Sequence, residues 1–114
     1  MQPTFAERLE HIATAVSNIR GITKGQSRES FANDLVMRLA VERLLEVISE
    51  ASRHIPIEAK SEQPGIDWRR LADLGNRLRH AYHATDAGLL WAMIENDLEP
   101  LRRFVEQIAK ESDR

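Results

Sequence analysis

Thr4-Phe5-Ala6-Glu7-Arg8-Leu9-Glu10-His11-Ile12-Ala13-Thr14-Ala15-Val16-Ser17-Asn18-Ile19 is the stretch that decides the fold class. Phe5, Leu9, Ile12, Val16 and Ile19 recur at spacings of four and three, which makes one apolar stripe along a helix and no strand-like alternation. Thr4 is a helix-capping residue, and Glu7 stands at the offset of a capping box. Gly21 and Gly25 punctuate the end of this first helix.

Working outward, Ser27 to Asn33 reads as a short turn or helical entry. A second long helix is expected from about Asp34 to His54, with Leu35, Leu39, Leu44, Val47, Ile48 and Ala51 as its buried face. Pro56 stops it, and Glu58 to Gly65, rich in polar residues, Pro and Gly, is the one clear loop and the best candidate for a mobile segment. Asp67 caps a third helix. A last helix starts near Asp86 and carries Leu89, Leu90, Met93, Ile94, Leu98, Leu101, Val105 and Ile108. Pro100 within it cannot donate to the carbonyl of Asn96, so a kink or restart is expected there. The expectation is a single all-α domain over residues 1–114, an up-and-down bundle of four to five helices.

Composition narrows the function classes. The chain has 114 residues and no cysteine, which excludes a disulfide scaffold, a thiolate metal site and a cysteine nucleophile. No apolar run approaches the ~20 residues that span a bilayer, and the N-terminus lacks a basic-then-apolar signal pattern, so a cytoplasmic protein without membrane contact is expected. A net charge of −2 disfavours coating of nucleic acid through bulk attraction; any such contact must use clustered arginines.

One such cluster stands out. Gly75-Asn76-Arg77-Leu78-Arg79-His80-Ala81-Tyr82-His83 packs two arginines, an amide, two histidines and a phenol into nine residues of expected helix. At about 100° per residue, Leu71, Leu74, Leu78 and Tyr82 share one side, and Arg69, Asp73, Asn76, Arg77, His80 and His83 fall near the other. Gly75 lies at the edge of the apolar side, where a missing side chain lets another helix approach. Arginine supplies fixed charge for a phosphate, and histidine moves protons near neutral pH. An ordinary amphipathic helix with a solvated polar face has the same periodicity. His80 and His83 with Asp86 could also be read as metal ligands, but no metal-site motif is present, and neither metal nor cofactor is expected. Glu42, Glu46 and Glu50 read as a solvated acidic stripe, or as partners for arginines of the motif helix.

The chain resembles the HEPN superfamily, specifically its HepT-like proteins. Asn76, His80 and Tyr82 match the family's Arg-Asn-x-x-x-His-x-Tyr signature. Val41 to Ala51 is similar to the family's long-helix signature, Asp67-Trp68-Arg69-Arg70-Leu71 precedes the motif, and Trp91 followed by Asn96 to Leu101 looks like its closing helix. The signature's Arg, five residues before the His, falls on Gly75, about 140° from His80 around a straight helix; Arg77 and Arg79 lie in the same segment. The resemblance implies a metal-independent endoribonuclease toxin that cuts single-stranded RNA at a homodimer interface. His80 would be its acid or base, Arg77 its phosphate-holding cation with Arg79 or Arg70 in reserve, and Asn76 an orienting group. It also implies a nucleotidyltransferase antitoxin that adenylylates Tyr82. The alternative is a catalytically inactive module of the same fold that binds a nucleotidyltransferase partner or a nucleotide.

Overall fold

A computed structural model describes residues 2–79 and 86–112. Within them the chain forms seven helices: α1 (Phe5–Thr23), α2 (Arg28–Ala32), α3 (Leu35–Arg53), α4 (Ile57–Ser61), α5 (Trp68–Arg79), α6 (Ala87–Asn96) and α7 (Leu98–Ser112). The five of ten or more residues are the expected helices, with the last one divided; α2 and α4 are single short turns between them. The fold is all-α, a helical bundle.

Capping explains most of the boundaries. The Thr4 hydroxyl accepts from the Glu7 amide, and Asp34 accepts from Met37, each satisfying one orphan donor of a first turn. Ser27 and Ser30 cap α2 reciprocally, so that of the expected turn or helical entry it is the helix that forms. Gly21 lies inside α1, while Gly25 follows the helix with φ 76°, a conformation that costs glycine little. The expected loop after Pro56 is partly helical: α4 occupies its first half, and Lys60 sits 5.7 Å above the Trp68 ring. Burial lowers the pKa of that ammonium from its ordinary value.

The restart at Pro100 comes from chain geometry. Helix α6 ends at Asn96 and is capped by Asp97, whose N–H still donates to the Met93 carbonyl, and α7 begins at Leu98. Pro100 is therefore the third residue of a new helix, where its missing N–H has no intrahelical acceptor to lose.

Leu9, Ile12, Val16 and Ile19 of α1 meet Val41, Leu45 and Ile48 of α3, Leu71 and Leu74 of α5, and Leu98, Leu101, Phe104 and Val105 of α7 in one core. Phe31 of α2 packs on Trp91 of α6, and Trp68 of α5 meets Phe104 of α7 edge-on at 5.1 Å. The buried face of α3 differs from the expected one. Ile48 and Ala51 are buried, and Leu44 and Val47 are partly buried, but Leu35 and Leu39 are 59% and 54% exposed. The core stripe runs instead through Val41, Leu45, Ile48 and Ser52, with Ser49 facing inward beside it. Phe5, at the open end of the α1 stripe, is exposed as well.

Candidate functional site

Helix α5 carries the arginines and is held in place by three contacts. Asp67 starts it: its carboxylate accepts from the Arg70 amide at 2.9 Å. Arg70 then reaches the α6–α7 corner, where its guanidinium donates to Asp97. The third contact is the most specific. The Ser49 hydroxyl of α3 donates to the Ala72 carbonyl at 3.2 Å and accepts from the Gly75 amide at 3.1 Å. A side chain of α3 thus reaches the backbone of α5, which requires the two helices to lie close. Gly75 is buried at this contact, as expected for a position where the missing side chain admits a neighbouring helix. Position 75 therefore belongs to the packed face of α5, and the face with Asn76 and Arg77 is exposed.

That exposed face borders a cleft of about 290 Å³ between α5 and α6. Arg69, Arg70 and Arg77 line it beside Asp67 and Asp73, and Leu74, Leu89 and Met93 form its apolar wall. Arg70 is engaged with Asp97. Among the described residues, Arg69 and Arg77 make no ion pair or hydrogen bond, and Asp73, one turn from each, pairs with neither. Two guanidinium groups with open donors on one helix face form an electropositive, anion-receptive edge.

Of the residues expected at the site, Arg77 is on this edge, and Asn76 is exposed on α5 and engaged in an interaction of its own. The backbone of Arg79 ends α5. His80, Tyr82 and His83 lie outside the described residues. Asp86, considered as a metal ligand beside the two histidines, caps α6 by accepting from the Gly88 amide at 2.8 Å. Among the described side chains, the acidic stripe of α3 pairs within its own helix: Glu46 faces Arg43 at 3.6 Å and Glu50 faces His54 at 3.2 Å, each about one turn away.

Sequence reasoning placed Arg69 on the polar face without giving it a role; its spacing of eight from Arg77, two turns along one side, was the available signal. Ser49 and Asp97 carried no such signal, since each acts across a long-range contact.

A model of the family described as "Ribonuclease HepT-like" matches residues 12–108. A protein of Thermococcus cleftensis named "Probable ribonuclease HepT" is 36% identical over 96% of this chain and all of its own length. Two proteins named "Putative RNase" are similar too. One, from Methanocaldococcus jannaschii, is 33% identical over 86% of this chain and 90% of its own; the other, from Caldanaerobacter subterraneus, is 30% identical over 88% and 89%. No solved structure matches the chain. The match reaches into every long helix and covers the whole of α5 with its arginine-bearing face, and the chain belongs to the HepT-like ribonuclease family.

Proposed function

We propose that this chain is a metal-independent endoribonuclease toxin that works as a homodimer on single-stranded RNA. Its antitoxin, on this reading, is a nucleotidyltransferase that adenylylates Tyr82. The observation that carries the proposal is the open guanidinium of Arg77 on the exposed face of α5, three residues before His80 in the sequence, in a chain of a ribonuclease family.

The chemistry follows from those groups. One His80 removes the proton of a ribose 2′-hydroxyl, and the oxygen attacks the adjacent phosphorus. The bond from phosphorus to the 5′-oxygen breaks, and an acid, His80 of the second protomer, protonates that leaving oxygen. The products are a 2′,3′-cyclic phosphate and a 5′-hydroxyl. Arg77, with Arg79, holds the phosphate and offsets the charge that grows on its oxygens, a task suited to a planar, permanently charged donor. Asn76 orients His80 or the phosphate. Unpaired RNA fits this chemistry because its backbone can bend until the 2′-oxygen lies in line with the bond to be broken. The proposal is tested by the ends it leaves: fragments with cyclic phosphates and 5′-hydroxyls support it, and 5′-phosphates would refute it.

A second reading has one observation in its favour. The family's signature arginine would stand at position 75, and here that position is a buried glycine bonded to Ser49. A module that keeps the fold and only binds a nucleotidyltransferase partner has no need of that arginine. Such a protein would bind the transferase and leave RNA uncut.

A further inference from the structure

We propose that the cleft between α5 and α6 is a subsite for the RNA backbone, with Arg69 and Arg77 each taking a different phosphate of one strand. This deepens the ribonuclease reading and rests on it. Charge availability is the first argument. Arg70 is committed to Asp97 and an oxygen of Asp67 to the first turn of α5, so those groups shape the cleft without binding in it. Arg69 and Arg77 keep their donors open, and Asp73 between them neutralises neither.

Spacing is the second argument. Eight residues of helix place Arg69 and Arg77 about 12 Å apart along the axis. A stacked strand advances about 3.4 Å per nucleotide, so a strand running along α5 offers successive phosphates to the two arginines. Environment is the third. Leu74, Leu89 and Met93 wall the cleft on one side, and charges beside a low-dielectric wall act more strongly than charges in open water. With a net charge of −2, the chain has no bulk attraction for RNA, and a local pair of open arginines supplies what the whole molecule lacks. Arg77 stands three residues before His80 in the sequence, so on this reading the subsite lies next to the reacting phosphate.

The test is binding of a fluorescent single-stranded oligoribonucleotide to His80→Ala protein, which keeps the RNA intact, across about 50–200 mM KCl. Adding Arg69→Ala is expected to weaken binding several-fold and to flatten the slope of log affinity against log salt by about 0.7, the value for one phosphate contact on a single strand. Arg69→Lys keeps the slope. Asp73→Asn, which removes a negative charge from the cleft, tightens binding. Arg53→Ala, outside the cleft, leaves the slope unchanged. An unaltered slope in Arg69→Ala, or an equal loss in Arg53→Ala, would overturn the subsite while leaving the ribonuclease reading in place. Absence of binding by the His80→Ala parent, with its helical circular dichroism intact, would overturn that reading together with the subsite.

Discussion

At the scale of single residues, Ser49 matters beyond its size. Its hydroxyl joins a donor and an acceptor three residues apart on α5, and so fixes how far α5 slides and rotates against α3. That rotation turns Gly75 inward and leaves Asn76 and Arg77 outward. Ser49→Ala removes two hydrogen bonds between groups that retain other partners, and should cost about 1 kcal/mol in urea unfolding. Ser49→Leu should cost more, about 1–3 kcal/mol, because a larger side chain forces the helices apart. Equal stability of all three proteins would show that the contact does not hold α5. By the same logic Gly75→Arg, a long side chain at a buried position, should destabilise the chain by at least about 1 kcal/mol.

Glu99 governs a second residue-scale property. Arg102, Arg20 and Arg103 donate to its carboxylate, and the Arg102 bond contributes most to holding its pKa well below the ordinary carboxylate range. A carboxylate whose pKa is depressed on folding stabilises the fold above its unfolded value, near 4.5, and loses that contribution as pH falls below it toward the folded value. Acid unfolding of the wild type should therefore steepen below about pH 4.5, and Glu99→Gln should flatten that dependence. High salt should shrink the difference, since the group is only partly buried. Identical acid profiles for the two proteins would dismiss the cluster as a stabilising element.

Among the elements, α3 shows where pattern reading succeeds and where it stops. Its ends were legible to the residue, because Asp34 and Pro56 are local signals with local effects. Its buried face was legible only in its second half, because hydrophobic periodicity assumes that apolar residues define the core side. Here Ser49 and Ser52 face inward with their hydroxyls bonded to backbone carbonyls, and Leu35 and Leu39 are left outside. Leu45→Ala, at a position 1% exposed, should cost about 2–5 kcal/mol, while Leu39→Ser, at 54% exposed, should change stability by less than about 0.5 kcal/mol. The opposite order in a denaturant series would return the core to the face expected from sequence. The site was legible in a similar, partial way. Arg77 could be placed from helical periodicity, but the cleft beside it depends on α6 and on the Asp97 corner, which no local pattern encodes.

For the whole molecule, the account joins a bundle built by ordinary capping and packing to one helix face proposed to take RNA. The packed side of α5 meets α3 and the core, and the exposed side carries Asn76 and Arg77. Its central claim is that this face, with His80, cuts RNA without a metal ion. The direct measurement is cleavage of single-stranded RNA in excess EDTA by the purified wild type, beside His80→Ala and Arg77→Ala of verified fold. The account predicts cleavage by the wild type, loss in His80→Ala to the level of RNA alone, and a drop of about two to three orders of magnitude in Arg77→Ala, the range for removing one transition-state donor. Intact RNA with the folded wild type, or undiminished cleavage by folded His80→Ala, would contradict it.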